Sequence, residues 1–217
     1  GASGGHAHND KLSFELMFHD VDIVQDPGVF TYTRSTSDRD SFRRTRSHNT
    51  VTVDGQEQNP IRDYWPFILE DVSQARAVSI DEGASKWALT AEHYGYLRLR
   101  PGVVHRRTFR FRRETEELTI ADELMHPNGE SGESRRLEWS FHLAEGSEAE
   151  ITGGTARIRR EGVSVCTEIN GPNGLDWRIT EGWLAPSYGG RVSAPVLRAS
   201  GSFPLPVSVE TRWWVDN

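Results

Sequence analysis

Apolar and polar residues alternate along this chain with a period of two, and the pattern recurs from end to end. Leu12, Phe14, Leu16 and Phe18 alternate with Ser13, Glu15, Met17 and His19, which suits a strand with one buried face. The same reading predicts strands over 50–53, 75–80, 87–93, 103–112, 117–122, 137–143, 155–159, 163–167, 176–181 and 207–214. Turn-forming runs separate them, among them Asp26-Pro27-Gly28, Asp54-Gly55, Pro101-Gly102, Pro127-Asn128-Gly129, Gly153-Gly154 and Gly171-Pro172-Asn173-Gly174. Many short strands at such spacing predict an all-β, antiparallel, supersandwich-like β-sandwich with few or no helices. There is no amphipathic stretch of ordinary helix length and no repeat of fixed period. Without βα alternation, a doubly wound nucleotide-binding sheet is excluded.

Composition sharpens this picture. At 217 residues the chain can bury one sizeable core, and we expect a single domain over 1–217. The formal net charge of −7 offers no basic field for a phosphate backbone, so nucleic acid is not an expected partner. Arginine is nevertheless clustered, at Arg43, Arg44 and Arg46 and again at Arg106, Arg107 and Arg110, which leaves room for a local anionic ligand. The bland reading of the second cluster is a solvated strand face. Cys166 is the only cysteine, so no internal disulfide holds the fold. No run approaches the ~20 apolar residues of a membrane span, and the opening Gly1-Ala2-Ser3-Gly4-Gly5 is not a signal peptide. That abrupt start reads as a piece of something longer.

Candidate chemistry centres on histidine, whose neutral ring is the commonest nitrogen ligand for metals. In an extended segment His6 and His8 project to the same side, but a His-x-His pair alone is a weak signal. Company raises its weight. Gln25-Asp26-Pro27-Gly28 is a tight turn that would hold Asp26 at a strand end, and Ser47-His48-Asn49-Thr50 opens a strand downstream. Two imidazoles and one carboxylate make an N,N,O set for Zn²⁺, with bonds of ~2.0–2.2 Å and a fourth position for water. Asn9, Asp10 and Asn49 are candidates to fix the imidazole tautomers.

Three ordered blocks resemble the heparinase II/III-like polysaccharide lyases. They are Gly5-His6-Ala7-His8-Asn9-Asp10-Lys11-Leu12-Ser13-Phe14-Glu15-Leu16, then Asp26-Pro27-Gly28-Val29-Phe30-Thr31-Tyr32, then Phe42-Arg43-Arg44-Thr45-Arg46-Ser47-His48-Asn49-Thr50-Val51-Thr52-Val53-Asp54-Gly55. Fainter echoes follow in His105-Arg106-Arg107, Phe141-His142-Leu143 and the segment from Gly182 to Gly189. The resemblance implies a C-terminal β-sandwich that follows a helical toroid, with an anionic polysaccharide, a glycosaminoglycan or alginate, in the cleft between them. It implies His8, Asp26 and His48 as metal ligands, His6 as a catalytic residue, and β-elimination at a uronic acid in the periplasm or outside the cell. By family position Arg43 would contact the substrate carboxylate, and Tyr32 and Tyr188 are further candidate substrate contacts. The alternative for Arg43 is an ion pair with Asp26 or Asp40.

Departures from the family pattern matter too. In the family a tyrosine, an asparagine and a further histidine on the helical domain move protons, and no segment here can be that toroid. Tyr32, Tyr64 and Tyr188 could each offer a phenol, but none is assignable as the acid. Arg46 and Ser47 replace the usual small residues before His48, and Arg44 stands where a small polar residue is common, which points to a more anionic or differently shaped substrate. If Arg43 to His48 is extended, Arg44, Arg46 and His48 share one face. His105 has the parity of Phe109 and Phe111 and reads as a satisfied core histidine, His142 is open, and His19, His93 and His126 read as surface or loop residues. Trp213 and Trp214 cannot both face inward. Two other classes stay in play: a non-catalytic module in which metal only staples strands and tryptophans bind carbohydrate, and an Fe(II) facial-triad sandwich, disfavoured by the spacing of His8, Asp26 and His48.

Overall fold

The computed structural model describes residues 4–62, 67–129 and 132–216. Its strands are β1 (Leu16–Phe18), β2 (Val21–Val24), β3 (Val51–Val53), β4 (Arg76–Glu82), β5 (Lys86–His93), β6 (Val104–Arg112), β7 (Glu117–Met125), β8 (Ser134–His142), β9 (Glu148–Thr152), β10 (Thr155–Arg160), β11 (Val163–Asn170), β12 (Asp176–Ser187), β13 (Gly190–Pro204) and β14 (Val207–Val215). Eight form one antiparallel sheet in the order β4-β5-β6-β7-β14-β11-β10-β9, and four form a second in the order β12-β13-β8-β3. The β1–β2 hairpin stands apart. Helix is scarce: α1 (Thr36–Arg43) and two 3-10 turns at Thr45–Ser47 and Gly95–Arg98. The all-β antiparallel sandwich expected from the alternation is what the chain forms.

Between the sheets lies the core. Leu118, Ile120 and Leu124 of β7, Ile158 of β10 and Trp213 of β14 belong to one buried cluster with Leu137, Trp139 and Phe141 of β8 and Leu197 and Ala199 of β13. Trp213 is fully buried while Trp214 is partly exposed beneath Arg212, as the parity argument required. At roughly 1.5–3 kcal/mol for each large apolar side chain withdrawn from water, this cluster is the main stabilising term.

Several elements differ from the sequence expectation, each for an identifiable reason. The alternating run from Leu12 to Phe18 is not one strand. Leu12 adopts a positive φ of 61° and only Leu16–Phe18 pairs, with β2, across a two-residue turn in which His19 and Asp20 both have positive φ. Phe14 leaves the ladder and inserts between the sheets, its ring 5.9 Å from Phe109, 6.0 Å from Phe141 and 6.3 Å from Trp213. Arg43 to His48 is not extended, because Arg43 ends α1 and Thr45–Ser47 form a 3-10 turn, so Arg44, Arg46 and His48 do not share a strand face. Ser35 caps α1 by accepting the Asp38 amide, and the helix buries Arg39, Asp40 and Arg43 alongside Phe42, a buried side built on ion pairs rather than an apolar stripe. His93, read as a surface or loop residue, is buried in β5 directly across from His105 in the β5–β6 ladder, while His126 lies in the loop after β7, as that reading allowed, but is buried there.

Candidate functional site

His8, Asp26 and His48 come together at the edge of the four-stranded sheet. Asp26 follows β2, and its Oδ1 accepts the Gly28 amide at 2.9 Å, which closes the Asp-Pro-Gly turn. Gly28 has a φ of 73°, and a Cβ there would meet the Ala185 carbonyl oxygen at 2.9 Å, so the turn needs glycine on both counts. The other carboxylate oxygen, Oδ2, bonds His48 Nδ1 at 2.8 Å. His48 is fully buried, and its Nε2 has no hydrogen-bond partner among the described residues. The His8 ring lies 5.1 Å from the His48 ring, centroid to centroid.

Two asparagines carry these histidines. Asn49 donates from Nδ2 to the carbonyls of Phe14 (2.9 Å) and Gln25 (3.1 Å), and its Oδ1 accepts the His142 backbone amide at 2.7 Å. One side chain thus ties the bend that carries His48 to the Phe14 loop, the residue before Asp26 and the end of β8. Asn9, next to His8, clasps the Asn59 backbone, its Nδ2 donating to the Asn59 carbonyl and its Oδ1 accepting the Asn59 amide, and Nδ2 also donates to Glu57. Sequence reasoning assigned these asparagines to the imidazole tautomers. Their observed partners are mainly backbone groups, and the one ring either touches is that of His142, whose Nδ1 lies 3.2 Å from Asn49 Oδ1.

Beneath the asparagines is a buried ionic knot that the sequence did not reveal. Asp122 on β7 faces the core and is flanked directly by Arg107 on β6. Its Oδ1 accepts Arg107 Nε at 2.7 Å and contacts His105 Nε2 at 2.6 Å, while Oδ2 accepts Arg107 Nη2 and Trp139 Nε1, both at 3.0 Å. Arg107 Nη1 reaches onward to the carbonyls of Leu12 (2.7 Å) and Asn49 (2.6 Å), so the knot also grips both loops of the site. His105 is the satisfied core histidine expected from its parity. The missed signal was Asp122, a carboxylate on the apolar face of an alternating strand.

Burial, with the neighbouring His48, pushes the His8 imidazole down to about 4, so the ring is neutral at physiological pH. Burial alone would raise Asp26, but the His48 contact and the Gly28 amide hold its carboxyl below the usual range. Burial, Arg198 and His48 likewise push His142 down to about 3. A neutral imidazole, a buried ring nitrogen without a partner and an ionised carboxylate fit a divalent cation in donor type. Among the described residues, however, no three His, Cys, Asp or Glu side chains are grouped closely enough to hold a metal as placed.

His6 is exposed and meets Tyr32 edge-on, centroids 4.8 Å apart, and Tyr32 stacks on Tyr188 at 5.8 Å. The Tyr32 amide donates to the Tyr188 hydroxyl, and Tyr188 is itself exposed. Tyr64 lies outside the described residues. Arg43 is buried, with Nη1 3.5 Å from Asp40 and Nε donating to the Ala7 carbonyl at 3.2 Å. It therefore holds the peptide between His6 and His8 and pairs with Asp40, one of the two carboxylates expected under the ion-pair alternative.

The fold is thus a two-sheet antiparallel sandwich with its histidine loops gathered at one sheet edge. The family model described as heparinase II/III-like, C-terminal, matches residues 1–217, and the chain belongs to that family. Among solved structures it resembles the heparinase III BT4657 gene product, with a TM-score of 0.79 and 19% identity over 97% of this chain and 31% of that one. It also resembles a heparan sulfate lyase HepC mutant from Pedobacter heparinus, with a TM-score of 0.77 and 19% identity over 98% of this chain and 31% of that one. The chain thus spans about a third of the length of these solved relatives. No match was found among curated proteins. Among the described residues, no helix is long and apolar enough to cross a membrane.

Proposed function

We propose that this chain is the β-sandwich portion of a lyase that cleaves a uronic-acid-containing polysaccharide, a glycosaminoglycan or alginate, by β-elimination in the periplasm or outside the cell. The observation that carries the reading is the placement of exposed His6, packed edge-on against Tyr32, which itself stacks on Tyr188, two residues along the chain from His8 of the His8–Asp26–His48 cluster. In the elimination, a base takes the proton beside the uronate carboxylate, the carbon–oxygen bond to the leaving sugar breaks, a carbon–carbon double bond forms, and an acid protonates the departing oxygen. His6 would hold or accept a proton at its exposed ring, with Tyr32 and Tyr188 bearing on the sugar. Arg43 would serve by fixing the Ala7 carbonyl, and so the direction of His6, and not by touching the substrate. The remaining proton-transfer groups would come from the helical toroid of the parent protein, a reading supported by the share of the solved relatives that this chain spans.

A Zn²⁺ ion would be held by His8, Asp26 and His48, and when bound it would staple the two loops and add positive charge near the sugar carboxylate. Metal analysis of chelator-free protein should find one equivalent of zinc, lost in His48→Ala together with part of the thermal stability. Iron with oxygen uptake would instead favour the facial-triad class. For catalysis, the assay is the ultraviolet absorbance of the unsaturated uronate. The parent protein should generate it, the 217-residue chain alone should not, and His6→Ala in the parent should slow it by about 10²–10⁴-fold. An undiminished rate in that variant refutes the assignment of His6. Lost zinc with full activity would leave the structural-module reading of the metal.

A further inference from the structure

On the outer face of the four-stranded sheet, β8, β12 and β13 place charged and polar residues side by side. Cross-strand register aligns Ser140 with Arg198 and Arg198 with Arg178, with Glu138 one step along β8 in the same row of outward positions. The α1 end and the 3-10 turn that follows it overhang this face and bring Arg44 and Arg46 to it, enclosing a cavity of about 340 Å³ with His142 among its lining residues.

One carboxylate serves three guanidiniums there. Glu138 lies 3.0 Å from Arg198, 3.4 Å from Arg46 and 4.0 Å from Arg178. Arg198 is buried and pinned, with Nε donating to Thr180 Oγ1 and Nη1 to Ser140 Oγ. Its guanidinium is lowered from the ordinary value by burial and then by repulsion from Arg46. Arg46 and Arg178, by contrast, keep 60% and 41% of their side-chain surface exposed, so both can turn to an incoming anion. Other carboxylates are already engaged: Glu57 with Arg44, Asp176 with Arg178, and Glu181 with the Ser193 hydroxyl. The pocket also has an apolar wall. Trp183 is 46% exposed, and Arg191 lies over its ring at 4.6 Å.

We propose that this pocket is a second binding site, separate from the His8–Asp26–His48 cluster, for an oxyanion-bearing sugar: its carboxylate or sulfate between Arg46 and Arg178 and its ring against Trp183. Planar guanidiniums match such oxyanions in paired hydrogen bonds, and an exposed indole offers the flat apolar face that a pyranose stacks on. Arg198, locked by Glu138, Ser140 and Thr180, acts as a fixed positive floor. The arrangement departs from a plain ion-paired surface because, among the described residues, buried Arg198 and exposed Arg46 have no carboxylate but Glu138, which they share.

The test is a calorimetric titration of the 217-residue chain, treated with chelator, with four probes: a uronate oligosaccharide, a sulfated oligosaccharide, a neutral oligosaccharide of the same length, and inorganic sulfate. At least one charged oligosaccharide should bind, more weakly as salt rises, and which one binds identifies the oxyanion. Arg46→Gln and Arg178→Gln should each weaken that binding by about tenfold, and Trp183→Ala should weaken it while leaving the thermal midpoint in place. Both arginines are exposed enough that these variants should fold, which their circular dichroism verifies. Equal binding of the neutral oligosaccharide, charged binding indifferent to both arginine variants, or inorganic sulfate binding as tightly as the sulfated sugar each overturns the proposal. None of these results depends on metal or on elimination, so failure here and failure of the lyase reading are separable.

Discussion

Replacing Asp122 by asparagine removes one charge and almost no volume from the centre of the molecule. Asp122 is 1% exposed and accepts from Arg107 twice, from Trp139 and from the His105 ring. Burial alone would raise its carboxyl, but the Arg107 guanidinium and His105 hold it well below the usual carboxylate range. Asparagine keeps one acceptor oxygen and turns an NH₂ group toward donors, leaving the fully buried Arg107 without its counter-charge. Breaking a buried pair in this way costs about 3–5 kcal/mol, against a total of about 5–15 kcal/mol for an ordinary domain. At about 2–4 °C per kcal/mol for a chain of this size, the midpoint should fall by about 6–20 °C. Urea denaturation should show the transition midpoint dropping with an unchanged slope. The double variant Arg107→Met, Asp122→Leu should recover only part of the loss, because it removes both charges together but leaves the Leu12 and Asn49 carbonyls and the Trp139 indole without those partners. A loss below about 1 kcal/mol in Asp122→Asn would refute the reasoning, since only a hydrated pair is that cheap to break.

Two further outcomes follow from the same kind of geometry. Glu92 is held down to about 2, because the Tyr94 hydroxyl, Arg76 and Arg106 outweigh its burial. Its folded value lies below the ordinary 4.5, so its contribution is present above that pH and lost as the pH falls from 4.5 toward 2. Thermal melts should lose about 1–3 kcal/mol over that window, and Glu92→Gln should flatten the acid limb; an unchanged limb counts against the cluster. At Gly95 a Cβ would sit 2.3 Å from the Gln58 carbonyl oxygen, a backbone atom that cannot swing away. Gly95→Ala should therefore cost about 1–3 kcal/mol in chemical denaturation, and a neutral result would show that the 58–59 segment is free to shift.

Most strands were legible because each presents alternation to a single buried face. What escaped was encoded in pairings that a linear pattern does not carry. The longest strand, β13, contains Pro195 and Gly201, which weaken any strand reading. Gly201 is there because the Phe203 ring occupies the place of its missing side chain, with ring carbons 2.2 and 2.5 Å from where a Cβ would lie. Helix α1 escaped because its buried side is Arg39, Asp40 and Arg43, although Ser35 followed three residues later by Asp38 was a usable start signal. The histidine cluster was legible through its blocks. The Asp122 knot was not, since cross-strand register decides that Arg107 stands opposite it.

Arg107 and Asn49 hold the site loops mainly by their carbonyl and amide groups, and the residues they hold are chosen by chain path and not by side chain. At Gln25 the side chain could be exchanged without changing the atom that is gripped, whereas Phe14 is also tied to the core by its ring and Leu12 by its positive φ. A framework fastened through main-chain atoms lets the exposed loop surface change while the loops stay in place. That is one physical route by which a shared shape persists between chains that have only 19% of residues in common.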